Sequence, residues 1–279
     1  MDQNQYVSQI DEVEITRKGT NSEELTQEEY TKYRGLTGKI SWAQLGTRPD
    51  LSFDSLEMSM KTKNATLGDL KNANSVVRKM KEHQPEVALR YPRLGRWKTL
   101  HIEAWADASF GTQPDEELVE GKVKSVRGSV IFLCNESRRS AIIYWKSKTI
   151  SNVCKHVKAA ETFAMSEGME EAINIAQHFY EIYNGSPYTK DKNIGTLPID
   201  FFTDSKTLKE SISSSKQIDQ LSMRTNIAWI KQRLHWKKIR SVTHVSSEEQ
   251  LADCLTKKGI KPNRLLGVTQ DGRQELFKH

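Results

Sequence analysis

The hydrophobic pattern of the chain changes period after Trp97, and this change limits the folds open to it. Upstream, apolar residues recur at helical spacing; downstream, apolar and polar residues alternate as in a strand with one buried face. An apolar stripe at helical spacing, from Met165 to Tyr183, separates three predicted strands from two later ones. The predicted strands are 100–107, 126–133, 141–145, 198–203 and 238–245. We expect an α/β (α+β) fold, with a mixed five-stranded sheet flanked by helices.

A small helical segment is predicted before the sheet, within residues 1–97. Threonines followed three residues later by an acid, at Thr26 and Thr66, are capping motifs for its first and third helices. Asp50 could cap the second helix. Residues 1–25 are polar and lack apolar periodicity, so we expect a frayed start. We therefore divide the chain into this segment, a sheet domain at 98–259 and a tail at 260–279.

Composition excludes several classes of protein. Hydrophobic residues make up 36% of the 279, enough for a sizeable core. No run approaches the ~18 apolar residues of a membrane span, and residues 1–17 lack the apolar core of a secretory signal, so we expect neither membrane insertion nor export. The cysteines Cys134, Cys154 and Cys254 are odd in number and widely spaced. Their spacing encodes neither a disulfide framework nor a zinc motif, and it fits a reducing compartment.

Basic residues concentrate in two stretches. Between Lys216 and Arg240 there are seven basic residues and one acid, with aromatic residues interleaved; between Arg138 and Lys158 there are six basic residues and no acid. Two such stretches favour binding to a polyanion, although each could also be an ordinary solvated surface. The candidate nucleic-acid-binding residues are Lys146, Lys148, Arg224, Lys231, Lys237 and Lys238.

Four acids lie at positions where a carboxylate is unusual or where it would face one end of the predicted sheet. Asp107 lies within the first strand, Glu161 near the start of the long helix, Asp204 at the end of the fourth strand and Asp253 in a predicted last helix. Acids gathered at one end of a sheet repel one another unless cations neutralise them. Such oxygen ligands suit hard divalent ions, which could activate water for phosphodiester cleavage.

Each acid also has a structural alternative. Asp204 could be the N-cap of the helix that begins at Ser205, and Glu161 could be a first-turn acid favoured by the helix dipole. Asp107 is harder to explain in this way, because acids are disfavoured within strands. Helical periodicity turns Asp253 away from its apolar neighbours, so it would reach the other acids only from the flank of its helix.

Four ordered blocks resemble the ribonuclease H domain of copia-type retrotransposon Pol polyproteins. The blocks are W-A-D-A-S-F-G (105–111), V-K-A-A-E-T-F-A-M (157–165), F-F-T-D-S-K-T-L (201–208) and E-E-Q-L-A-D-C-L-T-K (248–257). Upstream, Y-R-G-L-T-G-K-I-S-W resembles the segment that follows the reverse transcriptase palm in the same polyproteins. No Tyr-x-Asp-Asp polymerase motif occurs, so polymerase activity is not expected.

The resemblance implies a ribonuclease H-like fold and cleavage of the RNA strand of RNA/DNA hybrids. It places the catalytic acids, and the ligands of two Mg²⁺ (or Mn²⁺) ions, on Asp107, Glu161, Asp204 and Asp253. His244 stands where many ribonucleases H keep a mobile His that aids product release, or is a strand-end His without such a role. The implied partners are a hybrid and the palm portion of the parent polyprotein, in the cytoplasm or a virus-like particle.

Two other functions remain open. The basic stretches could tether a hybrid while the acids are incidental or decayed, as in a transposon remnant. A recombinase of the same broad fold is disfavoured, because those enzymes place a helical Glu last among three acids, whereas Glu161 comes second here. Divalent metal binding separates an enzyme from a tether.

Overall fold

The computed structural model describes residues 1–82, 87–114, 123–186, 196–214 and 221–273. The chain divides into two compact units, Met1–Arg90 and Tyr91–His279. Among the described helices, none combines the length and the apolar character that crossing a bilayer requires.

The first unit is helical. Its helices pack around an apolar core that includes Tyr33, Ile40, Leu70 and Val77. The predicted capping box at Thr26 is present, since Thr26 accepts from the Glu29 amide and the Glu29 side chain accepts from the Thr26 amide. The helices are α1 Asn4–Ser8, α2 Gln27–Gly46, α3 Ser52–Lys61 and α4 Leu67–Glu82.

Two expectations for this unit are wrong. Asp50 does not cap α3: it lies in a 3-10 turn, and its carboxylate accepts two hydrogen bonds from the buried Arg48 guanidinium at 2.9 and 2.8 Å. Residues 1–25 are not merely frayed, because Val7 and Ile10 are buried in the core. Further apolar side chains of the segment, including Leu25, pack against the same core, and their irregular spacing leaves no periodicity to detect.

The second unit contains the predicted mixed sheet. Its strand order is β3-β2-β1-β4-β5. The first three strands form an antiparallel meander, while β4 pairs parallel with β1 and β5 pairs parallel with β4. This confirms the expected mixed five-stranded sheet. The elements are β1 Leu100–Pro114, β2 Val123–Asn135, β3 Ser140–Thr149, α5 Val157–Asn184, β4 Ile199–Thr203, α6 Lys206–Ser213, α7 Leu221–His235, β5 Ser241–His244 and α8 Asn263–Asp271.

The long helix α5 covers one face of this sheet. Gly168 allows a close approach, because a β-carbon there would lie 3.2 Å from the Ala106 β-carbon and 3.3 Å from the Phe201 ring. The apolar positions of β1 point to α5, so the intervening positions, which include His101, Glu103 and Asp107, point to the opposite face. Asp107, the candidate functional residue of β1, therefore lies outside the apolar core that faces α5.

The segment after β5 differs from its prediction. A single helix opening at Ser246 was expected; the structure has two 3-10 turns instead, Ser247–Glu249 and Asp253–Leu255. The capping contact from the Ser246 amide to Glu249 forms, but it opens a turn only. A further helix, α8, lies within the predicted tail; residues 274–279 of that tail are outside the described residues.

Candidate active site

Three of the four predicted acids meet at one end of the sheet. Carboxylate oxygens of Asp107, Glu161 and Asp204 all lie within 4.8 Å of one another. The parallel register explains two of them: Trp105 of β1 pairs with Phe202 of β4, so Asp107 and Asp204, each two residues further on, reach the same level. Helix α5 supplies the third.

Glu161 lies in α5, just beyond the first turn of the helix. The helix begins at Val157, and the His156 side chain caps it by accepting the Ala159 amide at 3.1 Å. The first turn contains no acid, so the interpretation of Glu161 as a first-turn dipole residue is wrong. The carboxylate instead accepts the backbone amide of Ala108, which places it beside Asp107.

Asp204 is not a helix cap. The N-cap of α6 is Ser205, and the Asp204 carboxylate accepts from the Ser247 hydroxyl at 2.9 Å. Its own carbonyl oxygen lies 3.1 Å from His244 Nε2. The capping interpretation is therefore wrong, and Asp204 is half-exposed beside the two buried acids.

Burial and mutual repulsion shape the electrostatics of this acid cluster. Asp107 is 1% exposed and Glu161 8% exposed. Burial, followed by the neighbouring carboxylates, raises the pKa of Glu161; burial also raises the pKa of Asp107, against the influence of Lys257 and Thr256. Without a bound cation, the buried pair therefore tends to hold protons. A cation would favour their ionised forms.

The fourth acid, Asp253, joins the cluster through a lysine. Lys257 Nζ lies 3.6 Å from the Asp107 carboxylate and forms a closer ion pair with Asp253. Although burial opposes it, the two carboxylates raise the pKa of Lys257. The Thr256 hydroxyl donates to Asp107 and lies 3.0 Å from the Asp253 carbonyl oxygen. Asp253 thus contacts the cluster through Lys257, and the helix from whose flank it was expected to reach the acids is a 3-10 turn instead.

Sequence reasoning assigned no role to Thr256, Lys257 or Ser247, which contact the acids directly. Gln250 was missed as well: its buried amide donates to the Ala106 carbonyl at 3.0 Å and anchors the turn segment on β1. Thr256 and Lys257 are the last two residues of the E-E-Q-L-A-D-C-L-T-K block. Their place in that block is the one sequence feature that could have marked them as site residues.

Gly128 allows this turn segment to reach Asp107. It pairs directly with Asp107 across β1 and β2. A β-carbon at Gly128 would lie 2.8 Å from the Leu255 β-carbon, 2.9 Å from a Thr256 methyl and 3.1 Å from the Ala252 carbonyl oxygen. The absence of a side chain is therefore what brings Thr256 and Lys257 to the cluster.

We expect Gly128→Ala to destabilise the second unit by about 1–3 kcal/mol, because backbone atoms would have to shift. Urea unfolding measures this. The control is Gly267→Ala in α8, where a β-carbon meets nothing within 4 Å and should be neutral or stabilising by up to about 1 kcal/mol. Equal stability of the two variants would show that the turn segment is not held against β2.

The predicted nucleic-acid-binding residues differ in their solvent exposure and in whether they already form hydrogen bonds. Lys146, Lys148 and Lys237 are exposed, while Arg224 and Lys238 are half-buried. Lys231 is also half-buried and donates to the Ser214 carbonyl oxygen, so its ammonium is already engaged. Lys216 and Asp219 of the same basic stretch lie outside the described residues.

Aromatic rings near α7 hold an arginine in place. The Arg233 guanidinium lies 4.6 Å from the centroid of the Trp229 ring and 5.1 Å from that of Trp236. Trp236 is half exposed and Lys237 follows it with a left-handed backbone, φ 54°. This end of α7 presents cations and an aromatic face together, a combination suited to nucleic acid.

No protein-family model matches the chain, and no curated protein matches it. Among solved structures, an N-terminal ribonuclease H domain from Mycobacterium tuberculosis is 15% identical, with a TM-score of 0.38 over 57% of this chain and 91% of that one. Ribonuclease H1 of Halobacterium salinarum is 17% identical, with a TM-score of 0.36 over 56% and 94%. The protease-reverse transcriptase of prototype foamy virus is 13% identical, with a TM-score of 0.38 over 89% and 33%. At these scores, the assignment of site residues rests on the geometry alone.

Proposed function

We propose that the chain is a metal-dependent endonuclease that hydrolyses the RNA strand of RNA/DNA hybrids. The observation that carries this proposal is the meeting of Asp107, Glu161 and Asp204, whose oxygens lie within 4.8 Å of one another although they come from three separate elements. Isolated acids could be incidental, but a buried cluster of like charges is costly unless a cation compensates it.

The donor set fits Mg²⁺ or Mn²⁺. All three side chains offer hard oxygen ligands, and Asp253 could join them if Lys257 moved away. When bound, such ions would activate water and stabilise the leaving oxygen in phosphodiester hydrolysis. In this proposal Asp107 and Glu161 supply the buried ligands and Asp204 a half-exposed one. His244, exposed beside the Asp204 carbonyl, would in this proposal assist release of the cut strand.

We also propose that the chain derives from a copia-type Pol polyprotein. The support is the order of the four sequence blocks, three of which carry the clustered acids. The helical first unit would then correspond to the segment after the reverse transcriptase palm. A cytoplasmic location or a virus-like particle would follow from that origin.

The test is incubation of the full chain with a labelled RNA/DNA hybrid, with and without Mg²⁺. We expect cleavage of the RNA strand alone, because a hybrid carries 2′-hydroxyls on one strand only. Duplex DNA and duplex RNA serve as controls. Equal cutting of duplex DNA would overturn the proposed specificity.

A non-catalytic hybrid tether is the second candidate, and one observation favours it. Lys257 already supplies a positive charge to Asp107 and Asp253, so the fold compensates part of the acid cluster without a metal. A tether would bind hybrid and show no dependence of stability on divalent ions.

Replacing Lys257 with Met separates these candidates. Two like charges about 4 Å apart repel by about 4 kcal/mol at an effective dielectric of 20, so removal of the ammonium should tighten Mg²⁺ binding by at least about tenfold. Isothermal titration calorimetry measures this affinity, with the exposed Lys261→Met as the matched control. An unchanged Mg²⁺ affinity would mean that the ammonium and the metal do not share the cluster.

The exposed lysines of β3 provide a test of hybrid binding. We expect the double change Lys146→Gln and Lys148→Gln to reduce the slope of log affinity against log salt by about 0.7–0.9 for each phosphate that the protein no longer neutralises. Fluorescence anisotropy at several salt concentrations measures the slope. Lys18→Gln with Lys39→Gln, both exposed in the first unit, is the control. Equal slopes for the two doubles would assign Lys146 and Lys148 to solvation only.

A further inference from the structure

A second group of potential metal ligands lies on the sheet face opposite α5, away from the acid cluster. His101 and Glu103 are two residues apart on β1, so both point to that face. Cys134 of β2 pairs directly with His101. Directly paired residues have β-carbons about 4.5–5.5 Å apart, which brings all three side chains together.

The ligand atoms of this His-Glu-Cys cluster have spacings suited to one ion. A His101 nitrogen, a Glu103 oxygen and the Cys134 sulfur all lie within 4.8 Å of one another. His101 Nε2 is 3.3 Å from Glu103 Oε1. Ligands at about 2.0–2.3 Å from a tetrahedral ion need separations of this order, so only small side-chain movements are required.

Two polar atoms at or beside the cluster lack partners. Among the described residues, Glu103 Oε2 and Ser140 Oγ are buried without a hydrogen bond. Ser140 is 1% exposed and lies on β3, where it pairs directly with Cys134 of β2. A buried carboxylate oxygen without a partner is costly, and a bound cation would satisfy it.

We propose that His101, Glu103 and Cys134 bind a zinc ion. Nitrogen, oxygen and sulfur donors together suit Zn²⁺, whereas Mg²⁺ prefers oxygen ligands alone. Three protein ligands leave a fourth position for water. The ion would tie β1 to β2 at the end of the sheet opposite the acid cluster, so its binding is separate from the proposed nuclease activity.

Zinc binds cysteine as the thiolate, so binding at Cys134 should release a proton and strengthen with pH. The spacing of the cysteines did not predict this site, because the pairing of β1 with β2 brings its ligands together.

Cobalt is a suitable probe, since Co²⁺ replaces Zn²⁺ and gives a thiolate charge-transfer band when sulfur is a ligand. The full chain is titrated with Co²⁺ in two forms. One is the wild type, and the other is the double variant Asp107→Asn with Asp204→Asn, whose acid cluster binds metal more weakly. We expect the band to saturate at one equivalent in both proteins and to disappear when Zn²⁺ is added. Cys134→Ser should abolish the band, while the buried Cys154→Ser should keep it.

Absence of a thiolate band in the wild type would overturn the proposal, as would a band that survives Cys134→Ser. If circular dichroism shows that Cys134→Ser does not fold, His101→Gln replaces it, because His101 is partly exposed. That variant should weaken Zn²⁺ binding by more than about tenfold, because losing a direct ligand costs at least as much as losing an outer-shell partner of a ligand. Unchanged Zn²⁺ affinity of His101→Gln would equally rule out the site.

Discussion

Single-turnover cleavage of a hybrid should fall by about 10³-fold or more when Asp204 is replaced by Asn, since loss of a metal ligand removes several kcal/mol of transition-state stabilisation. Asn keeps the size of the side chain and can still accept from the Ser247 hydroxyl, which Asp204 contacts at 2.9 Å. The fold should therefore persist. Rapid-quench kinetics under enzyme excess, at saturating Mg²⁺, measures the effect on the cleavage step itself.

Asp200→Asn is the matched control, because Asp200 lies on the same strand but pairs with Arg240 instead of the acid cluster. It should retain wild-type cleavage. Asp253→Asn should fall between the two, since Asp253 reaches the cluster only through Lys257, and Mn²⁺ should partly restore its rate. If Asp204→Asn cuts as fast as wild type, Asp204 is not a metal ligand in the reaction.

The stability of the metal-free protein should depend on pH through Asp107. Burial raises the folded-state pKa of Asp107 above its ordinary value of 3.8, so the folded state binds a proton more tightly than the unfolded state does. The contribution of Asp107 to stability is then largest below pH 3.8 and is lost as the pH rises through the folded-state pKa. Asp107→Asn carries no such charge, so it should exceed wild type by more than about 1 kcal/mol at alkaline pH.

Chemical unfolding in the presence of a chelator, at a series of pH values, measures this difference. The free energy of unfolding of Asp107→Asn, relative to that of wild type, should increase from about pH 4 upward and then level off. Saturating Mg²⁺ should stabilise the wild type and narrow the gap, because an ion bound to the folded state adds to its stability. A constant difference across the pH range would show that Asp107 does not titrate as its burial requires.

Much of the acid cluster could be predicted from the sequence because local patterns determine it. Asp107 follows an alternating run and Asp204 ends an apolar one, so strand-like periodicity placed both on the sheet. A parallel pairing of those strands then brings them to one level. Glu161 was placed on the correct helix, but the sequence did not show that the helix begins at Val157, which puts Glu161 beyond the first turn.

The surroundings of the acids could not be predicted in the same way. Asp253 was assigned to a helix because Ser246 and Glu249 form a capping pattern, but that pattern also opens a 3-10 turn. The contact of Lys257 with Asp107 depends on a long-range approach that Gly128 permits. The His-Glu-Cys cluster likewise depends on the register of β1 with β2, which no local spacing reveals.

The central claim is that Asp107, Glu161 and Asp204 together hold a divalent cation. Anomalous diffraction from crystals grown with Mn²⁺ tests it most directly. We expect manganese at about 2.0–2.6 Å from carboxylate oxygens of all three residues, with the Lys257 ammonium displaced from Asp107. Fully occupied manganese elsewhere only, with Lys257 still paired to Asp107, would contradict the claim.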